Sequence, residues 1–197
     1  MKKTITLLAF LMCTITLMQA QRDQTIFSQG GIDLTGAWGG SINNLTNFND
    51  NFDISNGGYF VFEFNKNFLI GWTGYGSEST LDNGMRADID GHDLLLGYAF
   101  QSHKPVHPIA YLQTGGGKLK IEESPTDQVF VMQPSIGVEV NVFRWFKIGA
   151  DTGYRFVTNV DTPGFSDGDL SSPYIGLRLK FGWSWDGDDG VRIDEEF

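Results

Sequence analysis

The sequence predicts an all-β fold, an eight-stranded antiparallel up-and-down transmembrane β-barrel. Eight segments alternate apolar and polar residues, their connections alternate between long and short, and aromatic residues concentrate beside the short connections. Transmembrane barrels combine an even number of alternating strands with short turns at one rim, long loops at the other and aromatic belts. Segment 173–183 is the clearest strand, because one of its faces is wholly apolar, with Ile175, Leu177, Leu179, Phe181 and Trp183.

Residues 1–20 are predicted to be a secretory signal peptide. Lys2 and Lys3 precede the apolar run 5–18, and the small Ala20 offers a cleavage site before Gln21. The alternative is an uncleaved membrane anchor, but the apolar run is short for a spanning helix. The sole cysteine, Cys13, lies in this leader. A mature chain would therefore have no disulfide, no thiolate nucleophile and no cysteine metal site.

The barrel is predicted to cover residues 21–183, followed by an acidic periplasmic tail, 184–197. Long polar loops are expected at 43–56, 77–87, 122–127 and 158–172, and short turns at 65–67, 101–107 and 144. Pro134 falls inside a strand, where it removes a ladder hydrogen bond, so a bulge or a local break is expected there. The eight predicted strands are about 30–41, 58–64, 68–76, 88–100, 108–120, 128–143, 145–157 and 173–183.

The strand periodicity assigns two faces to this barrel. The apolar face is expected to meet lipid, with membrane-interface aromatics beside the short turns at Phe64, Phe68, Phe100, Phe143, Trp145, Phe146 and Trp183. The opposite face is expected to form a barrel-interior charge cluster of Glu63, Asp93, Glu139, Lys147, Asp151, Arg155, Arg178 and Lys180. Eight strands leave room for side chains only, and buried charges must pair. A salt-bridged polar plug is therefore predicted, not an open pore.

The first strand is expected to place Ile32, Leu34 and Trp38 on one face, and the parity of the fifth strand stays unassigned. The formal charge is −10 at pH 7, and the predicted leader contributes only positive charges. Such an acidic chain lacks the basic surface that nucleic-acid binding needs. No nucleic-acid partner is therefore expected.

These features resemble the small OmpA/OmpX-type outer-membrane barrels, in particular the single-domain, porin-family proteins of Gram-negative bacteria with an outer membrane protein beta-barrel domain. The resemblance rests on the leader ending at Ala20, the alternation of strands and loops, and the final strand 174–183. It covers residues 30–183. In many such barrels an aromatic residue closing the last strand serves as the assembly signal. Here Phe181 or Trp183 holds that strand position, although 184–197 comes after it.

The resemblance implies a place in the cell outer membrane, with extracellular loops and periplasmic termini. It implies contact with outer-membrane lipid and lipopolysaccharide, assembly by the barrel-assembly machinery, and long loops that could bind an extracellular ligand. It implies no cofactor. The function expected is that of a non-enzymatic barrel serving envelope structure, adhesion or limited small-solute passage.

Three alternatives remain open from the residues. A lipid-modifying barrel enzyme would use His92, next to Asp93, as its base, whereas His103 and His107 lie in a predicted turn; surface histidines are favoured. A soluble lipocalin-like calyx would turn Phe60, Val138 and Leu177 inward to bind an apolar ligand. Segments 161–169 and 186–190 partly resemble calcium loops, but solvated acidic segments are favoured. No catalytic or metal-binding residue is therefore predicted.

Overall fold

The chain forms a closed eight-stranded barrel in a computed structural model that describes residues 31–48, 51–80, 86–121, 125–163 and 165–185. The contacts divide the chain after Asp33, and all eight strands lie in the second unit, 34–197. The strands are β1 (Leu34–Phe48), β2 (Asn51–Phe64), β3 (Phe68–Thr80), β4 (Arg86–Ala99), β5 (Val106–Ile121), β6 (Asp127–Phe143), β7 (Phe146–Thr158) and β8 (Ser172–Ser184). One short helix, α1 (Asp167–Leu170), precedes β8. The predicted signal peptide and most of the predicted tail lie outside the described residues.

Every strand pairs antiparallel with its neighbours in sequence, and β1 pairs with β8 to close the sheet. The predicted architecture, an eight-stranded up-and-down barrel, is thus confirmed. The turn end of the barrel carries the connections 65–67, 100–105 and 144–145 and the end of β8. The loop end carries the connections 49–50, 81–85, 122–126 and 159–171. Within the described residues no helix is long and apolar enough to cross a membrane.

Two predicted loops are wrong. Segments 43–56 and 77–87 are mostly strand, because β1 and β2 stay paired as far as Phe48 and Asn51, and β3 and β4 as far as Thr80 and Arg86. Their many Asn, Asp and Ser residues favour turns in isolation. In a closed sheet, pairing on both sides satisfies the backbone and outweighs that local preference. The strands at this end are therefore longer than predicted.

The first strand also corrects the predicted parity. Trp38 is buried in the barrel, but Leu34 is exposed. The β1–β2 ladder shifts register between Leu34 and Gly36. A bulge inserts one residue and turns the preceding side chains to the opposite face. A simple count of alternate residues therefore fails at this point.

Pro134 interrupts the pairing between β6 and β7 locally. A local break was one of the two expected outcomes, the other being a bulge. Between β6 and β7, Met132 pairs with Phe156 and Ser135 with Gly153, and the pairs between them are missing. The register is the same on both sides of the gap, so Pro134 causes no bulge. Instead, the β6–β7 register shifts between Asn141 and Phe143, next to the turn.

Hydrogen bonds hold the short turns at the turn end in place. Asn65 and Lys66 both have positive φ, 50° and 60°, and the N–H of Asn67 donates to the carbonyl oxygen of Phe64 over 3.1 Å. This geometry is that of the type I′ turns that suit hairpins. The Asn141 side-chain amide donates to the carbonyl oxygens of Ser102 and Lys104 over 3.0 and 2.9 Å. These bonds tie the β4–β5 turn to β6.

The apolar parity faces outward. Ile136 is 69% exposed, and Val138, Leu177 and Phe60 are also exposed. This orientation is the reverse of what the calyx alternative requires, so that alternative is wrong. The seven aromatics expected beside the short turns lie there, and several touch: Trp145 stacks on Phe143 at 5.5 Å and on Phe181 at 6.2 Å between ring centroids.

Candidate functional site

All eight residues expected in the barrel interior are buried there: Glu63, Asp93, Glu139, Lys147, Asp151, Arg155, Arg178 and Lys180. They divide into four groups along the barrel, from the turn end towards the loop end.

Glu63, on β2, is held mostly by neutral donors. The indole N–H of Trp38 donates to its Oε2 over 3.0 Å, and the hydroxyl of Ser184 donates to its Oε1 over 2.5 Å. The Thr35 hydroxyl lies 3.3 Å from the same Oε1. The carboxylate therefore joins the start of β1, the end of β2 and the end of β8. It fastens the seam where the barrel closes.

Glu139 is the centre of the second group. Its Oε2 lies 2.6 Å from Nζ of Lys180, and its Oε1 lies 3.4 Å from Nζ of Lys147 and 3.3 Å from Nε2 of His107. Lys147 and Lys180 are paired directly across β7 and β8. Like charges in that position repel. The buried carboxylate between them offsets the repulsion, and Trp38 adds a ring face 4.5 Å from the Lys147 ammonium.

The third group is a forked ion pair between β7 and β8. Nε and Nη2 of Arg178 donate to Oδ1 and Oδ2 of Asp151 over 3.1 and 3.2 Å. Both side chains are almost fully buried. The guanidinium also stacks on the ring of Tyr111, 4.2 Å from its centroid. Two parallel hydrogen bonds and a ring contact fix this arginine in one position.

The fourth group lies at mid-height. Nε of Arg155 donates to Oε1 of Gln133 over 3.2 Å, and the guanidinium lies 5.7 Å from the centroid of the Tyr75 ring. Buried Asp93 is within the electrostatic influence of Arg155. The side chains of Gln113, Gln133 and Arg155 are at most 2% exposed. The middle of the barrel is therefore filled by side chains.

On the side formed by β4 to β7, the loop end of the interior is apolar, which the sequence analysis missed. Buried apolar side chains form a cluster there, and Leu170 of α1 is one of its members. Val160 and Phe165, from the same loop as Leu170, pack against the cluster. The signal was present as alternate apolar residues near the strand ends. The cluster consists of Ala87, Ile89, Leu119, Ile121, Val129, Val131, Val157 and Leu170.

The predicted position of one histidine, His107, is wrong. The sequence predicts His107 in a surface turn, but it is the second residue of β5, is 1% exposed and faces Glu139. Its Nδ1 lies 3.1 Å from the carbonyl oxygen of Lys104. His92, the only base visible to the enzyme alternative, is exposed, while Asp93 is buried. Adjacent strand residues point to opposite faces, so this aspartate cannot orient that histidine.

The acidic residues of the β7–β8 loop accept hydrogen bonds from the loop itself. Asp167 Oδ1 accepts from the N–H of Val160 over 3.0 Å, and Asp169 Oδ2 accepts from the N–H and the hydroxyl of Ser166, each over 2.8 Å. These bonds hold the pKa of Asp169 below its ordinary value. Across the described part of the chain, no group of three His, Cys, Asp or Glu residues is arranged to bind a metal ion.

The fold is that of known outer-membrane barrels. The structure is similar to Neisserial surface protein A, with a TM-score of 0.61 and 9% identity over 77% of this chain and 98% of that one. It is also similar to the N-terminal β-barrel domain of Pseudomonas aeruginosa OprF, with a TM-score of 0.53 and 10% identity over 76% of this chain and 98% of that one. The resemblance to small OmpA/OmpX-type barrels is thus confirmed at the level of the fold. No family model and no curated protein matches the sequence.

Proposed function

We propose that the chain spans the outer membrane as a non-enzymatic barrel, closed to solutes, that contributes to envelope structure and presents its loop end to the outside. The observation that carries this proposal is an inversion of polarity along single strands. On β4, outward Leu94 lies beside inward Asp93, whereas nearer the loop end outward Asp88 and Asp90 flank inward Ile89.

The same inversion occurs on β5. Outward Leu112 neighbours inward Gln113, but nearer the loop end Lys118 and Lys120 point outward and Leu119 points inward. A soluble barrel has one polar outside along its whole length. A barrel that leaves lipid for water must make its outward face polar at the boundary, because that face is then solvated, and its inward face can form an ordinary apolar core.

The outward apolar face has the height of a bilayer. On β6 the seven outward residues from Phe130 to Val142 are apolar and exposed. Thirteen residues span about 40 Å along a strand, which a tilt near 40° reduces to about 30 Å, the thickness of the hydrocarbon core. A monomer in water rarely exposes an apolar patch of this size. Outer-membrane lipid, lipopolysaccharide included, and the barrel-assembly machinery are therefore its proposed partners.

The filled interior favours envelope structure and adhesion over solute passage. Leu119, Val131 and Arg155 have no exposed surface at all, so no space large enough for a water molecule adjoins them. At the loop end, β3 to β5 continue beyond the apolar face with charged outward side chains, among them Glu78 and Lys118. This extension and the loops above it form the surface that would bind an extracellular ligand.

Envelope fractionation tests the location and closure. The outer-membrane fraction should contain the chain as a band that migrates faster unboiled than boiled, since a closed barrel resists detergent. Purified chain in planar bilayers should show no steady conductance. Recovery in the soluble fraction with no heat-dependent shift would contradict the membrane location, and stable ion channels would contradict the closed interior.

Orientation and the absence of enzymatic activity need separate tests. A peptide tag inserted at 125–126 should be cleaved by protease added to intact cells, whereas a tag at the C-terminus should be protected. The lipid profile of the envelope should be the same with and without the protein. Protection of the loop tag would reverse the proposed orientation, and a deacylated or newly acylated lipid would support the enzyme alternative.

A further inference from the structure

A cavity of about 700 Å³ opens the interior at the turn end. Trp38, Glu63 and Lys147 lie at its inner side, and residues of the β4–β5 and β6–β7 turns, including Ser102 and Arg144, form its rim. Lys147 is the member of the Glu139 group that lines this space. The cavity therefore connects solvent with the buried charges.

The rim of this cavity is basic. The three connections at the turn end contain Lys66, Lys104 and Arg144, together with His103, and their sequences contain no Asp or Glu. The four connections at the loop end have the opposite composition, with seven acidic residues and no Lys or Arg: Asp50, Asp82, Glu122, Glu123, Asp161, Asp167 and Asp169. Anions are thus attracted to one end of the barrel and repelled from the other.

The chain leaves the barrel at this same cavity. Ser184 lines it and donates to Glu63, and the backbone N–H and the indole N–H of Trp185 donate over 2.8 Å to the carbonyl oxygens of Thr35 and Leu34. The last described residue is therefore fixed at the edge of the cavity. The segment after Trp185 starts within reach of every basic turn.

Residues 186–197 lie outside the described part, but their sequence is strongly acidic. Arg192 is the one basic residue of this segment, against six acidic ones: Asp186, Asp188, Asp189, Asp194, Glu195 and Glu196. Twelve residues extend at most about 40 Å. Eight strands spaced about 4.8 Å apart and tilted close a barrel about 16 Å across, so the segment is long enough to cross the opening.

We propose that the turn-end cavity is a binding site for an acidic peptide and that its occupant is the chain's own segment 186–197. Charge complementarity and the fixed exit at Trp185 carry the assignment. A tethered segment meets its site at an effective concentration near the millimolar range, which favours it over an acidic peptide from another protein. Exposed Arg144 lines the rim, exposed Lys104 lies next to the rim residue His103 in the β4–β5 turn, and Lys147 extends the positive surface inward.

Disulfide trapping in the full chain tests this directly. The Cys13→Ser chain with Ser102→Cys at the rim and Gly190→Cys in the tail is folded in detergent micelles. The matched control carries the same cysteines and a tail in which every Asp is Asn and every Glu is Gln. The acidic tail should form the disulfide about tenfold faster than the neutral one, and high salt should remove the difference. Rates are corrected for the reactivity of each cysteine alone. Equal rates would overturn the proposal.

A second measurement does not depend on the introduced cysteines. A labelled peptide of residues 186–197 is added to a chain that ends at Trp185, with folding checked by the heat-dependent gel shift. Binding should saturate and should weaken about tenfold in the Lys104→Gln/Arg144→Gln variant. It should be unchanged in Lys118→Gln/Lys120→Gln, a matched pair on the outer wall near the loop end. No saturable binding, or equal weakening by both pairs, would overturn the proposal. Binding by an unrelated acidic peptide with equal affinity would also overturn the assignment of the occupant.

Discussion

Two buried positions towards opposite ends of the barrel interior, Glu139 and Leu119, differ in chemistry. Glu139 at the turn end is 2% exposed and Leu119 at the loop end is 0% exposed. Glu139 touches two ammonium groups and an imidazole, whereas Leu119 packs among alkyl side chains. A buried ion pair stabilises only while every member is present, but an apolar core loses stability in proportion to the atoms removed. Glu139 should therefore tolerate a single substitution less well than Leu119 does.

The largest expected effect is that of Glu139→Gln. This substitution leaves Lys147 and Lys180 facing each other across β7 and β8 with no carboxylate between them. Breaking a buried pair in this way costs about 3–5 kcal/mol. The measurement is the free energy of unfolding in urea for chain folded into lipid vesicles. Glu78→Gln is the control, because Glu78 is an exposed glutamate on β3, and it should change little.

A second variant distinguishes two causes of the stability loss in Glu139→Gln, which are charge imbalance and lost packing. Adding Lys180→Gln to Glu139→Gln removes one of the uncompensated cations, so the double variant should regain about 1 kcal/mol or more. A double variant less stable than Glu139→Gln would mean that the turn end depends on shape and not on charge balance. A loss below about 1 kcal/mol for Glu139→Gln itself would contradict the comparison between the two ends.

The next largest effect is expected at the loop end, for Leu119→Ala. The substitution removes a fully buried side chain from the apolar cluster, and such changes cost about 2–4 kcal/mol. Lys118→Ala, the outward neighbour on β5, should cost much less because its side chain is exposed. Both are measured by the same urea unfolding. Equal losses for the two variants would mean that the loop-end interior is not a packed core.

The sequence predicted the turn end better than the loop end, and the polarity inversion explains why. Within the lipid-facing region the outward face is apolar, and on β7 and β8 the inward face carries charges, so parity correctly assigned Asp151 and Lys180 to the interior. Towards the loop end the rule reverses. Applying one rule to whole strands hid Leu119 and Ile121, which are buried, between their polar neighbours.

Two further features could not be read from periodicity. His107 comes after a Pro-containing turn, and the start of β5 depends on Asn141 N–H donating to the Pro105 carbonyl oxygen, a contact between distant segments. Leu170 reaches the interior because α1 folds over the barrel end, and no strand pattern marks it. Contacts between distant residues decide both positions.

A smaller and local effect is expected for Leu170→Ala. Leu170 attaches the β7–β8 loop to the apolar cluster, and Ser171 Oγ accepts the N–H of Val157 over 2.9 Å beside it. The truncation should lower the free energy of opening this loop by about 2 kcal/mol while the barrel stays closed. Hydrogen exchange should therefore accelerate at 157–171 and not in β5. Pro163→Ala, at an exposed position of the same loop, should leave exchange unchanged; acceleration throughout the barrel would show that the loop is part of the global core.

The smallest effect is expected for Asp169, a carboxylate at the loop end. Unlike Glu139, it should affect only the stability of its own loop. Asp169 is exposed, and its carboxylate accepts from the N–H and the hydroxyl of Ser166. These bonds hold its pKa below the ordinary value of 3.8. A lowered pKa means that the carboxylate stabilises α1 above pH 3.8 and that this contribution is lost as pH falls through the lower, folded value. Exchange of the Ser166 amide, corrected for its intrinsic pH dependence, should therefore accelerate as pH falls from about 5 to about 2.

In Asp169→Asn the same amide should exchange faster at about pH 5 and show no further acceleration on acidification, since no carboxylate remains to be protonated. Asp161→Asn is the matched control, because the Asp161 side chain is exposed and its backbone N–H, which donates to Asp127, is retained. Neither variant should change the urea unfolding of the barrel, because the bonds involved lie within one exposed loop. If Asp169→Asn lowered barrel stability as much as Glu139→Gln, the contrast between an exposed loop carboxylate and the buried Glu139 group would be wrong.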